Sequence, residues 1–79
     1  MLIEIYGMTG CGFRTQATVV CQEAGLDYIY IDLAKSPEMM EELESRIGRF
    51  KTVPQIFMDG THIGGFAELK EAMRNNDYN

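Results

Sequence analysis

The sequence has no tryptophan, one histidine, two prolines and only two cysteines. Two cysteines are too few for the dense disulfide framework that holds small secreted domains together. In a reducing compartment such a pair means one functional thiol, one buried thiol, or two inert ones. No apolar run approaches the ~20 residues that a membrane span requires. Met1-Leu2-Ile3-Glu4 lacks the basic start and apolar stretch of a secretory signal. The expectation is a cytoplasmic protein with no membrane partner. Positive charge is also scarce: 7 Lys and Arg face 12 Asp and Glu, a net charge of −5. That balance argues against nucleic acid as a partner. What is present is ordinary for a soluble globular chain, 46% hydrophobic and 24% charged over 79 residues. One domain spanning 1–79 is expected, with a thin core, because a chain of this size buries only roughly 60% of its extended surface.

Leu2-Ile3-Glu4-Ile5-Tyr6 is short, β-branched and aromatic, and ends at Gly7, which reads as a strand. The three glycines of Gly7-Met8-Thr9-Gly10-Cys11-Gly12 mark a loop. Phe13, Ala17, Val20, Cys21 and Ala24 recur at helical spacing, with Gly25 as the C-terminal stop. Tyr28 to Ile31 is a second strand, with Asp32 after it. A helix then starts at Ser36 with Pro37 in its first position, presents Met39, Met40, Leu43 and Ile47, and closes at Gly48. Gln55–Met58 and Thr61–Ile63 flank Asp59-Gly60, the strongest hairpin signal in the chain. Gly64-Gly65 breaks that strand, and Phe66 to Met73 reads as a last helix with Leu69 and Met73 inward. The tail from Asn75 is expected to fray. The order β-α-β-α-β-β-α combines a right-handed parallel unit with an antiparallel hairpin. It predicts an α/β fold in which a four-stranded mixed sheet is flanked by three helices.

Cys11 follows the Gly-rich loop and opens the first helix. Unpaired first-turn N–H groups and the helix dipole both favour thiolate there. Its pKa should fall below the ~8.5 of a free cysteine. The alternative is a cysteine that merely caps or packs. Arg14, three residues on, opposes the helix dipole unless an anion such as the Cys11 thiolate lies beside it; pointing into solvent is its other reading. Cys21 lies ten residues beyond Cys11, roughly 15 Å along one helix, whereas a disulfide needs Cα atoms within about 7 Å. It reads as an inert core thiol. Pro54 in Thr52-Val53-Pro54 starts a strand, where its missing N–H does no harm. Gly64-Gly65 leaves N–H groups that could hold an anion. His62 reads as structural. Glu38, Glu41, Glu42 and Glu44 form a solvated helix face.

These elements together resemble a glutaredoxin. The resemblance runs from about Leu2 to Met73. Its carriers are Ile5-Tyr6-Gly7-Met8-Thr9-Gly10-Cys11-Gly12-Phe13, Tyr30-Ile31-Asp32, Thr52-Val53-Pro54-Gln55-Ile56-Phe57 and His62-Ile63-Gly64-Gly65-Phe66. It is similar above all to the small bacterial and phage members, and it implies the thioredoxin-like fold. By resemblance, Cys11 is the nucleophile and Pro54 the family's cis-proline. Val53 offers backbone hydrogen bonds to the cysteinyl part of glutathione. Gly65, Phe66 and Ala67, after Gly64, hold the γ-glutamyl carboxylate. Lys51, just before Thr52, attracts the glycine carboxylate, with Arg49 in reserve. Gly12, Phe13 and Arg14 are the active-site neighbours.

The departures from the family are specific. The dithiol pattern Cys-Pro-Tyr-Cys is here Cys11-Gly12-Phe13-Arg14, so the second thiol is absent. Gly12-Phe13 also resembles the monothiol pattern Cys-Gly-Phe-Ser, but the Trp-Pro of those members is missing. A lysine three residues before the nucleophile is Met8 here, and an Asp or Ser in the last helix's first turn is Ala67. The resemblance therefore implies a monomeric glutathione-dependent thiol–disulfide oxidoreductase with a monothiol route. Its partners are glutathione and glutathionylated proteins or small disulfides. Ribonucleotide reductase, a partner within the family, is disfavoured by the missing thiol. A [2Fe–2S] carrier, in which two chains each give Cys11 and a glutathione, is the second reading. A glutathione-binding module without turnover is the third.

Overall fold

Alternation of apolar side chains along two central strands divides the interior into two cores. The computed structural model describes residues 1–8, 10 and 12–74. In chain order the elements are β1 (Leu2–Gly7), α1 (Phe13–Ala24), β2 (Asp27–Asp32), α2 (Met39–Ile47), β3 (Gln55–Met58), β4 (Thr61–Gly64) and α3 (Phe66–Arg74). The strands form one sheet in the order β2-β1-β3-β4. β1 and β2 pair in parallel, with Ile5 opposite Tyr30, while β1–β3 and β3–β4 are antiparallel. This is the predicted mixed sheet with three helices.

With a period of two along each strand, Ile3, Ile5, Ile56 and Met58 face one side of the sheet. They bury against Ala17 and Cys21 of α1 and Leu69 and Ala72 of α3. Tyr6 and Phe57 face the other side, against Leu33, just after β2, and Leu43 of α2. Leu43 is 0% exposed, and burying such a side chain contributes about 1.5–3 kcal/mol. Arg46 ties α2 to the sheet. Its guanidinium donates to both Glu4 carboxylate oxygens at 2.9 and 3.2 Å and to the Tyr6 hydroxyl at 3.2 Å. It also lies 3.6 Å from the Phe57 ring centroid. The Glu4 hydrogen bond holds the Arg46 pKa above the usual arginine value.

The helix and turn stops behave as the local chemistry requires. Gly25 is left-handed at φ 70°. Its N–H donates to Gln22 and that of Leu26 to Cys21, at 3.1 and 3.0 Å, a Schellman closure. Asp59 and Gly60 both have positive φ, 48° and 86°, as a type I′ hairpin demands. The Asp59 carboxylate accepts the Leu2 N–H at 2.8 Å.

Five boundaries or faces differ from the sequence reading. β2 runs from Asp27 through Asp32, because the parallel ladder with β1 recruits both acidic ends. α2 starts at Met39 rather than after Ser36: the N–H groups of Met39 and Met40 bond to Ser36 and Pro37, three residues back, in a turn that precedes the α-helical ladder. Gly64 belongs to β4, paired with Ile56, instead of breaking it. In α3 the inward residues are Leu69 and Ala72, with Met73 only partly buried. Phe13, expected on the inward face of α1, is 44% exposed. The tail beyond residue 74 lies outside the described residues.

Candidate active site

The loop between β1 and α1 carries Cys11, which with Thr9 lies outside the described residues. The residues around it are described. Gly10 has φ +86°, a left-handed conformation that a side chain would strain. Gly12 is the N-cap of α1 and supplies no capping side chain, and the first turn of α1 contains no acidic residue. The first turn of α1 therefore adds no carboxylate of its own to offset the positive end of the helix dipole. Cys11 is the residue just before this N-cap in sequence.

Arg14, in the first turn, does not simply point into solvent. Its guanidinium carbon stands 4.3 Å from the centre of the Tyr30 ring, a cation–π contact. Tyr30 in turn lies over the end of β1. A Cβ added to Gly7 would sit 2.1 Å from its hydroxyl oxygen and 2.8 Å from Cζ. Gly7→Ala should consequently displace Tyr30 and cost about 1–3 kcal/mol, as overpacking does. A urea midpoint within error of wild type would show that the ring has room to move. Neither Gly7 nor Tyr30 stands out as a site residue in sequence, since their meeting depends on the β1–β2 register.

A second wall comes from α3. Phe66, at its start, stacks on Phe13 with ring centres 5.4 Å apart, and the Lys70 ammonium lies 5.5 Å from the Phe66 centre. The outward turn of Phe13 is thus explained by a partner 53 residues away in sequence rather than by its own helix. Gly65 passes close to the Thr52–Pro54 loop: a Cβ on it would come within 3.3 Å of the Pro54 carbonyl oxygen. The Val53–Pro54 peptide is cis, and Gly64 has φ +121°. The Gly65 N–H donates to the Glu68 carboxylate at 2.7 Å. The N–H groups of Phe66 and Ala67 have no protein acceptor among the described residues.

The structure thus joins Phe13 to Phe66 and Pro54 to Gly65. Lys51 and Thr52 are exposed, Val53 is half-buried and Pro54 buried. Lys51 makes no ion pair or hydrogen bond among the described residues, which leaves its charge available. Cys21, by contrast, is 0% exposed, and burial pushes its thiol pKa up. Gln55 escaped the sequence reading. It is 9% exposed, and its side chain bridges the Thr52 carbonyl and His62. No three His, Cys, Asp or Glu side chains among the described residues are grouped to hold a metal ion, and no helix there is long and apolar enough to cross a membrane.

A parallel β1–β2 pair, an antiparallel β3–β4 hairpin, a helix opening directly after β1 and a cis-proline before β3 together define a thioredoxin-like protein. A model of the glutaredoxin family matches residues 3–63. The chain is 32% identical to a glutaredoxin of Vibrio cholerae over an alignment of 82 positions, covering 96% of this chain and 94% of that one. It superposes on Escherichia coli glutaredoxin with a TM-score of 0.69 at 29% identity, covering 96% of each chain. It superposes on the buckwheat glutaredoxin in its glutathione complex with a TM-score of 0.78 at 25% identity, over 96% of this chain and 71% of that one. The chain belongs to the glutaredoxin family and is a thiol–disulfide oxidoreductase.

Proposed function

We propose that the protein reduces glutathione mixed disulfides in the cytoplasm by a monothiol route. The Cys11 thiolate attacks the glutathione sulfur of the mixed disulfide. A new Cys11–glutathione disulfide forms, the old sulfur–sulfur bond breaks, and the substrate leaves as a thiolate that takes a proton from solvent. The thiolate of a second glutathione then attacks the glutathione sulfur on Cys11. Glutathione disulfide departs and Cys11 returns as thiolate.

The observation that carries this reading is the distribution of thiols in a member of this family. Arg14 stands where a second active-site cysteine would be, and Cys21, the other thiol, is sealed in the core. A single usable thiol suffices for glutathione exchange but offers no second enzyme thiol to release a mixed disulfide with a protein from within. The start of α1, with no capping side chain and no acidic residue in its own first turn, supports a thiolate at position 11.

Glutathione would lie along the Thr52–Pro54 loop, with its cysteinyl backbone on Val53. Its γ-glutamyl carboxylate would meet the free N–H groups of Phe66 and Ala67 at the start of α3, beside Gly64 and Gly65. The Glu68 carboxylate, already on the Gly65 N–H, borders that position. Lys51 would attract the glycine carboxylate. The buckwheat relative in complex with glutathione supports this ligand.

The test is turnover of the mixed disulfide of glutathione and 2-mercaptoethanol, with glutathione as reductant. Turnover that saturates in the mixed disulfide is expected, and rates equal to the uncatalysed exchange would refute the function. Lys51→Glu should raise KM roughly tenfold at low ionic strength and less in salt. An unchanged KM at low ionic strength would remove Lys51 from the site.

A further inference from the structure

One side chain outside the proposed ligand contacts grips a peptide group of the site and is itself held by a second. Gln55 follows the cis-proline, and its Nε2 donates to the Thr52 carbonyl oxygen at 2.8 Å. Its Oε1 lies 2.8 Å from His62 Nε2. Donor matching fixes both groups. A carbonyl can only accept, so the amide nitrogen of Gln55 faces Thr52 and its oxygen faces the imidazole, which must therefore donate from Nε2. The neutral Nε2–H tautomer and the imidazolium both do so. His62 is held in place across the β3–β4 ladder, where it is paired with Phe57, the ring centres 5.2 Å apart.

The consequence follows from peptide planarity. The Thr52 carbonyl and the Val53 N–H belong to the same rigid unit. Gripping the oxygen from one side aims the N–H to the other. Among the described residues that N–H has no protein acceptor. Gln55 is nearly buried, so water competes poorly for its contacts.

We propose that Gln55 and His62 are positioning residues that orient the Val53 N–H toward the backbone of the glutathione moiety, tuning its recognition without touching it. This rests on the glutathione reading above. Ordering the N–H beforehand spares the ligand the cost of fixing that peptide on binding.

Gln55→Met keeps the length and burial of the side chain but removes both hydrogen bonds. His62→Phe keeps a ring against Phe57 at an exposed position and removes only the donor, and His62→Gln restores one. Gln55→Met is expected to raise KM for the glutathione–mercaptoethanol mixed disulfide roughly 3- to 10-fold, the worth of one backbone hydrogen bond. His62→Phe should raise it less, and His62→Gln should recover most of the loss. The single-turnover attack of Cys11 on bis(2-hydroxyethyl) disulfide, which has no peptide backbone, should not change. In isotope-labelled protein without ligand, the Val53 amide resonance should shift in Gln55→Met and His62→Phe.

Unchanged KM in both variants would overturn the inference. So would an equal fall in the mixed-disulfide and backbone-free reactions, which would mark a purely structural role. If the wild type fails to turn over the mixed disulfide at all, the glutathione reading falls first. The Val53 amide then decides the positioning, and a resonance unmoved in both variants overturns it too.

Discussion

Cys11→Ser is expected to reduce turnover of glutathione mixed disulfides by at least roughly 10³-fold while leaving the fold intact. The reason is chemical rather than geometric. Exchange proceeds through a sulfur–sulfur bond on the enzyme, and a serine hydroxyl, scarcely ionised at neutral pH, cannot form one. The rest of the protein supplies no substitute. Cys21 is 0% exposed, and desolvation raises its pKa, so at neutral pH it is a thiol that reagents do not reach. That contrast provides an internal control. Iodoacetamide should label the native wild type once and the Cys11→Ser variant not at all. The midpoint of Cys11 alkylation with pH should lie below that of free glutathione. Residual turnover near the wild-type rate, or ready labelling of Cys21, would show that a second thiol takes part.

The second large effect expected is a gain. Arg14→Cys places two thiols three residues apart, one just before the N-cap Gly12 and one in the first turn of α1. That spacing at a helix start permits a disulfide between them. The variant should reduce a protein disulfide at least roughly tenfold faster than the present chain, because the second thiol can release the mixed intermediate. It should also reduce glutathione mixed disulfides more slowly, since an internal disulfide now competes with the glutathione adduct. The substitution removes the Arg14 stack on Tyr30, worth about 0.5–1 kcal/mol at an exposed site, so a small loss of stability should accompany the gain. Insulin-type disulfide reduction followed in parallel with mixed-disulfide turnover separates the two activities. Strong protein-disulfide reduction by the unmodified chain would sink the monothiol reading. No gain in the variant would mean that the loop geometry sets the limit.

The residues that announce themselves in sequence are those whose signal is local. Asp59-Gly60 specifies a hairpin because both positions take positive φ with little strain, and the structure gives them φ 48° and 86°. Gly25 ends α1 for the same reason. The placement of Cys21 on the buried face follows from its spacing with Ala17. The absence of a second active-site thiol is legible at once, as is the glutaredoxin pattern that runs from β1 to the Gly64-Gly65 pair.

What the sequence left open was decided by contacts between residues far apart along the chain. Periodicity puts Phe13 inward with the rest of its helix, yet it stands 44% exposed against the ring of Phe66. Arg14 had two readings, and the partner it takes, Tyr30, is brought to it by the parallel pairing of β1 with β2. The need for Gly7 and Gly65 is invisible locally, since each makes room for an atom of another segment, the Tyr30 hydroxyl and the Pro54 carbonyl. The bridge from His62 through Gln55 to Thr52 required the β3–β4 register, which sets His62 opposite Phe57. Short-range propensities and spacing fix which elements form and which face of each is apolar. Which polar and aromatic side chains meet at the ends of those elements depends on strand register and helix docking, and these are settled only when the whole core packs.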